Sequence, residues 1–244
     1  MSRLLTVLGL TIVVVACGSP AIVPSPAKDY ALVLLHKTDH DFAAVWIERM
    51  DSALENLLEE ETEMERSDEP HIVRWRNSIE HLRYESELIQ AMEVNRLVNA
   101  EVHYESDYEH WQRLDRWGEP FETLVEGGDC EDFAILKMES LKHLGWDEEQ
   151  FAVLVGFSNF FQPAESHAVL MATMKDGSQL VMDSLEDAVE PPSEEHHFSA
   201  LYAVTRDHLF MVGVPANTNP VASVAAGRTR AQLASASLTT KPGG

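Results

Sequence analysis

Apolar positions along this chain change their spacing near residue 150. From Asp41 to about Glu65, residues Phe42, Val45, Trp46, Met50, Leu54, Leu57 and Leu58 recur at intervals of three and four, which predicts one amphipathic helix with a strongly acidic outer face. Glu69-Pro70 closes that pattern. A second helical stripe carries Ile72, Trp75, Ile79 and Leu82, and a third carries Leu88, Ile89, Met92, Leu97 and Val98. Between Asn99 and Gly118, the cluster Tyr104, Tyr108, Trp111, Leu114 and Trp117 suits either a cleft wall or core packing. From Cys130 to Leu144, Ala134, Met138 and Leu141 share a face with Cys130. Phe133, Ile135 and Leu136 make most of the remaining circumference apolar, so this helix is expected to be largely buried, with Gly145 ending it. Short runs follow: Phe151–Val155, Ser166–Met174 and Gln179–Ser184 predict strands, and 201–204 and 209–212 are weaker candidates. Tyr30 to Leu35 is apolar without a clear period. Helices first and antiparallel strands afterwards indicate an α+β fold.

The ends of the chain have another character. Met1-Ser2-Arg3 is a short positive segment, followed by the 13-residue apolar run Leu4–Ala16, which has the length of a signal-peptide core and is too short to span a bilayer. It closes as Val14-Val15-Ala16-Cys17-Gly18, in the manner of a bacterial lipobox. This predicts a signal peptide over 1–16, lipidation of Cys17 and a periplasmic, lipid-anchored protein, with Gly18 favouring the outer membrane. Residues 17–40 read as a tether, 41–71 as the N-terminal helix, 72–214 as the main domain, and the Ala-, Ser-, Thr- and Asn-rich stretch 215–244 as a disordered tail.

Charge narrows the choice of partners. A formal net charge of -23 makes nucleic acid an improbable partner, because phosphate binding needs clustered Lys and Arg. With Cys17 acylated, Cys130 is the sole free thiol of the mature chain.

That thiol sits in Gly127-Gly128-Asp129-Cys130-Glu131-Asp132. Asp129 suits a helix N-cap, which places Cys130 at the first helical position, where the dipole favours a thiolate. A thiol nucleophile needs a base and an orienting group. His167, at the start of a strand, and Asp183, at the end of the next, supply them in the papain and transglutaminase manner. A two-residue Asp176-Gly177 turn would put these two side chains on opposite faces. The triad therefore predicts a longer loop, Thr173–Gly177, pairing His167 directly with Asp183. Asp129, Glu131 and Asp132 oppose ionisation of a neighbouring thiol. They are accounted for either by helix capping or by a bound calcium ion. Neither His36 with His40 nor His196-His197 makes a zinc site, and no H-E-x-x-H or C-x-x-C occurs.

The segments Val94-Asn95-Arg96-Leu97-Val98-Asn99, Tyr104 with Asp107, Asp115-Arg116-Trp117, Glu122, Gly127 to Ile135, His167-Ala168-Val169-Leu170 and Leu180-Val181-Met182-Asp183 together resemble the bacterial transglutaminase-like cysteine proteinases, over about Ile72 to Gly213. The resemblance implies a periplasmic protease with Cys130 as nucleophile, His167 as general base and acid, and Asp183 as orienter. It also implies calcium (Ca2+) held by Asp129 and Glu131, with Asp132 as a third candidate. The best-known members of the family cleave the N-terminal region of large biofilm adhesins and are restrained by an inner-membrane, cyclic-di-GMP-responsive protein, so the resemblance implies such a substrate and such a partner. This chain departs from the family pattern at Ser184, where Asn is usual, at Gly118-Glu119, where Ala-Thr is common, and in its lipobox. An acyl transferase or peptidoglycan amidase on the same fold, and an inactive calcium-binding lipoprotein acting through a partner, are the rival readings.

Overall fold

Six strands form one sheet in the order β1-β6-β5-β2-β3-β4, with every adjacent pair antiparallel. They are β1 (Ala31–Leu34), β2 (Phe151–Ser158), β3 (Glu165–Thr173), β4 (Gln179–Met182), β5 (Phe198–Val204) and β6 (Leu209–Gly213). The helices are α1 (His40–Ala53), α2 (Pro70–Leu82), α3 (Glu87–Glu101), α4 (Asp107–Trp111), α5 (Pro120–Glu126) and α6 (Cys130–His143). The computed structural model describes residues 31–34, 40–56, 62, 64–160, 163–192 and 197–213. The signal segment, Cys17, His36, His196 and the tail all lie outside the described residues.

The α+β expectation holds, and each strand read from the short apolar runs is present. Two boundaries differ. Ala31–Leu34, inside the stretch read as a tether, pairs with β6 as an edge strand. The first helix ends at Ala53 instead of running to about Glu65; residues 57–61, with Leu57 and Leu58, lie outside the described residues. Met50, Ala53 and Leu54 of this segment are buried, and Trp46 packs edge-on to Trp117 at 6.0 Å, so the stripe seals onto the domain. Glu69-Pro70, read as a stop, starts α2: the Glu69 carboxylate caps the His71 and Ile72 N–H groups, and Pro70 takes the first turn, where no N–H is needed.

Helix α6 is the centre of the packing, lying on β3 with α3 and α5 beside it. Ile135, Leu136 and Leu141 of α6 are fully buried with Ile72 and Ile79 of α2, Val94 and Val98 of α3, and Leu170 and Met182 of the sheet. A second, smaller cluster of Leu154, Val169, Met171, Val181 and Phe198 completes the alternation of the strands. Two buried indoles in the helical layer are paired: the Trp75 indole donates to Ser140 Oγ at 2.8 Å, and the Trp146 indole to Gln90 Oε1 at 2.7 Å. Among the described residues, no helix is long and apolar enough to cross a membrane.

The β3–β4 hairpin decides where the triad meets. Its register pairs Leu170 with Met182 and Thr173 with Gln179. The Met174 N–H also donates to the Ser178 carbonyl at 2.8 Å, which leaves a three-residue loop, Lys175 to Gly177, with Gly177 at φ +90°. The five-residue loop expected from the triad is not used, and Met174 keeps its pairing. Extended by one step, this register sets Asp183 opposite Val169, two residues from His167. The parity required for a shared face is met, but the pairing is diagonal instead of direct.

Candidate active site

Both glycines before the cysteine are demanded by their surroundings. Gly127 has φ +95°, and a Cβ there would lie 2.6 Å from the His103 carbonyl oxygen. A Cβ on Gly128 would lie 2.4 Å from the Asp132 carboxylate. The Gly128 N–H donates to His103 O at 3.1 Å and its carbonyl accepts from Glu105 N–H at 3.0 Å, so the segment before the nucleophile is tied to the backbone around Tyr104. Asp132 reaches back to accept the Asp129 N–H at 3.1 Å and the Gly118 N–H at 2.6 Å. This carboxylate is thus the clasp that fixes the entry of α6, and it needs a glycine to approach so closely.

Cys130 is the first residue of α6 and is half-buried. At that position its N–H lies outside the intrahelical ladder and is available to an incoming oxyanion. The Ala168 N–H of β3 hydrogen-bonds the Cys130 sulfur, which places the thiol beside the residue that follows His167. His167 Nε2 and Asp183 Oδ1 lie 2.7 Å apart with side chains 6% and 5% exposed. Burial pushes the Asp183 carboxyl up, but the hydrogen bond and charge of His167 outweigh it, and the group is held below the usual carboxylate range. Its Oδ1 also accepts the Leu185 N–H at 2.9 Å. Phe198 stands edge-on to the imidazole at 5.9 Å.

Helix α3 holds the turn that carries Asp183. Asn99 Nδ2 donates to the Asp183 carbonyl at 3.0 Å and to the Glu186 carbonyl at 3.1 Å, and Asn95 Nδ2 donates to Glu186 O at 2.8 Å. These clamps come from the Asn95–Asn99 spacing, one turn of helix, and their catalytic relevance is invisible until the tertiary contact is seen.

On the other side of Cys130 lies a cluster of acids. Asp107, Asp115 and Glu131 bring carboxylate oxygens within 4.8 Å of one another, as do Asp107, Asp129 and Asp132. Asp129, Cys130 and Glu131 form a third such group. Asp129 and Glu131 therefore meet as anticipated, while Asp107 and Asp115 were not identified as ligands from the sequence. Their signal was available only as their recurrence in the family segments, because proximity across 22 residues is a tertiary property. Asp132 belongs to the cluster, although both of its oxygens already accept backbone N–H bonds.

The electrostatics of this cluster are unfavourable. Burial, followed by the Asp129 and Asp115 charges, lifts Asp107 to about 6 against the opposing Arg116 N–H. Burial lifts Asp132 to about 7, and burial with Asp129 lifts Glu131 well above the carboxylate range. Asp129 Oδ1 is buried without a hydrogen-bond partner among the described residues. At the rim of the cluster Arg49 pairs with Asp115 at 2.7 Å, and the backbone Arg116 N–H donates to Asp107. The dipole argument from sequence is overridden at the thiol itself. Burial, then the charges of Glu131 and Asp129, raise Cys130 well above its ordinary value, and the thiol donates to Glu131 Oε2 at 3.2 Å.

Such an arrangement fits a hard cation. The donors are all carboxylate oxygens, one buried oxygen lacks a partner, and the mutual repulsion is what a divalent ion would relieve.

Comparison with known proteins agrees with this geometry. Residues 66–201 match the model of a family described as bacterial transglutaminase-like cysteine proteinase, BTLCP. Among solved structures, calcium-bound Legionella pneumophila LapG is similar to this chain with a TM-score of 0.54 and 26% identity, covering 70% of this chain and 97% of LapG. EGTA-treated LapG from the same organism gives a TM-score of 0.48 at 29% identity, covering 58% of this chain and 75% of that one. No curated protein sequence matches.

Proposed function

The chain belongs to the bacterial transglutaminase-like cysteine proteinases and is a cysteine peptidase; we propose that it is a calcium-dependent endopeptidase of the cell envelope that cleaves a large surface adhesin near its N-terminus and so controls attachment in biofilms. The observation that carries the chemistry is the buried His167–Asp183 pair at 2.7 Å, on the strand whose Ala168 N–H meets the Cys130 sulfur.

Because Nε2 is committed to Asp183, Nδ1 is the nitrogen left to exchange a proton with the thiol. His167 takes the proton from Cys130 Sγ, and the thiolate attacks the scissile carbonyl carbon. The Cys130 N–H, at the positive end of α6, stabilises the oxyanion. His167 then delivers its proton to the amide nitrogen as the C–N bond breaks, leaving an S-acyl enzyme. A water molecule, deprotonated by His167, hydrolyses the thioester. Asp183 keeps the imidazole oriented and stabilises its cationic form throughout.

Asp107, Asp115, Asp129 and Glu131 would hold a calcium ion, with Asp132 fixing the loop beside them. The charge of the ion would offset the carboxylate repulsion that otherwise opposes the thiolate. The similarity to calcium-bound LapG supports this assignment. The predicted signal segment and the Cys17 lipobox support a lipid-anchored, periplasmic position, with the outer membrane favoured. Resemblance to the family supports restraint by an inner-membrane, cyclic-di-GMP-responsive partner.

The test is incubation of the purified protein with large surface adhesins of the same cell, with calcium or with a chelator, followed by mass spectrometry of the products. A new C-terminus formed with calcium, lost with chelator and absent for Cys130→Ala, is the expected result. Crosslinked products in place of a new terminus would make the protein a transferase, and no reaction with any such substrate would overturn the adhesin assignment.

A further inference from the structure

Lys137 lies seven residues beyond Cys130, two turns along the same side of α6. It is 0% exposed, and among the described residues its Nζ has no hydrogen-bond partner. A lysine so placed is rare, because an unpaired buried ammonium costs several kcal/mol, roughly. The charges acting on it are those of Asp183 and Asp187, and the Phe133 ring lies 5.8 Å from Nζ. Asp183 and Asp187 are the two ends of the turn that Asn95 and Asn99 clamp from α3. The same region holds further buried atoms without hydrogen-bond partners among the described residues: Asn95 Oδ1, Asn99 Oδ1 and Ser184 Oγ. Two asparagine oxygens from α3 and the Ser184 hydroxyl are thus left unpaired at one turn, whose two aspartates are the charges that act on the ammonium. An apolar side chain at 137 would fill the helix face with no electrostatic cost, so packing alone does not explain the lysine.

We infer that Lys137 is a positioning residue of the peptidase: its ammonium, set between α6 and the Asp183–Asp187 turn, adds to His167 in holding the triad aspartate ionised and aligned. It touches neither substrate nor thiol. Helix α6 therefore contributes to both ends of the catalytic system, the nucleophile at its first residue and the electrostatic support of the aspartate two turns later. Burial drives the Lys137 ammonium down to about 7 against the opposing charges of Asp183 and Asp187, so the residue is costly to charge and these two carboxylates favour its charged form.

The inference rests on the peptidase reading of Cys130, and the experiment separates the two. The full chain, with calcium present, is compared as wild type, Lys137→Met and Asp187→Asn. The rate of Cys130 alkylation by iodoacetamide is followed against pH, together with the low-field proton resonance of the His167–Asp183 hydrogen bond and the melting temperature. A wild-type thiol no more reactive than a small free thiol would remove the peptidase reading itself. With a reactive wild type, Lys137→Met is expected to melt at the same or a higher temperature. Its neutral-pH alkylation should nevertheless be about tenfold slower, with the low-field resonance broadened by exchange. Asp187→Asn, at an exposed position, should change both readouts in the same direction by a smaller factor. A Lys137→Met protein with wild-type alkylation and an unmoved resonance overturns the inference. If Lys137→Met does not fold, wild-type behaviour of both Asp187→Asn and Asn99→Ala overturns it instead.

Discussion

On the sheet side of Cys130, His167 and Asp183 are buried at 5% and 4% exposure, bind each other, and receive further support from the Leu185 N–H and the α3 asparagines. On the loop side, Asp107, Asp115, Asp129 and Glu131 crowd one another, and three of the four are pushed upward chiefly by burial. The first group has its charges complemented by the protein alone. The second has them opposed by the protein. Both flank the same thiol, so one half of the site is electrostatically complete in the protein alone and the other half is the one we propose an ion completes. The difference explains why the acids beside the nucleophile, hostile to a thiolate in isolation, coexist with a well-formed triad.

Breaking the sheet side should have the largest effects. Cys130→Ala removes the nucleophile and is expected to abolish cleavage in a product assay. Asp183→Asn leaves the shape of the pair intact but removes the charge that orients the imidazole, and kcat should fall by about 10⁴-fold.

Changes on the loop side should act on binding and stability with opposite signs. Glu131→Gln removes one of the repelling charges. Melting in chelator is therefore expected to rise by roughly 2–4 °C, the shift that about 1 kcal/mol produces in a chain of this size. Calcium binding, read by calorimetry, should weaken in the same variant. No such reciprocal pattern is expected from a carboxylate that serves only as a helix cap.

The pH dependence follows from the same asymmetry. Asp107 at about 6 and Asp132 at about 7 lie above their unfolded values, so the cation-free fold binds more protons than the unfolded chain across that interval. These groups favour the fold most below their unfolded pKa, and that contribution is lost as pH rises through 6 and 7. Cation-free protein should accordingly melt at a higher temperature at pH near 5 than at pH near 8, to the extent that these groups dominate. The increase in melting temperature caused by calcium should grow over the same range. Asp183 runs the other way: its depressed value stabilises the fold above the usual carboxylate range and is lost on strong acidification.

The smallest effect on catalysis should come from Asn99→Ala, which removes donors to Asp183 O, Glu186 O and Asp187 Oδ1. A loss of about 2 kcal/mol in denaturant unfolding is expected from the unsatisfied carbonyls, with a modest fall in kcat and little change in KM.

How much of this was legible in the sequence depended on whether a feature was local. Cys130 at a helix start, His167 on one strand and Asp183 beside the end of the next (one residue past β4, which stops at Met182), and the α+β order followed from residue types and periodicity, because helix entry and strand alternation are short-range properties. The hairpin register was right in parity and wrong by two residues, since the Met174–Ser178 pairing that shortens the loop has no strong turn signature. β1 was missed because four apolar residues beside a Pro-rich stretch have no period; only pairing with β6 makes them a strand. Asp107 and Asp115 joined Glu131 through the folding of the α4 region against α6, which no spacing encodes. Lys137 had a visible signal, a lysine interrupting the apolar circumference of a buried helix.

The central claim is that the thiol is flanked by the buried His167–Asp183 pair and by an acid cluster that we propose holds a cation. Its most direct test is a calcium titration of chelator-stripped protein, following cleavage of a surface adhesin that the calcium-loaded protein cuts. Activity should be near zero at the start and rise to saturation with one calcium bound per chain, and Glu131→Gln should shift the midpoint to higher calcium. Full activity in the stripped protein, unchanged as calcium is added, would contradict the account.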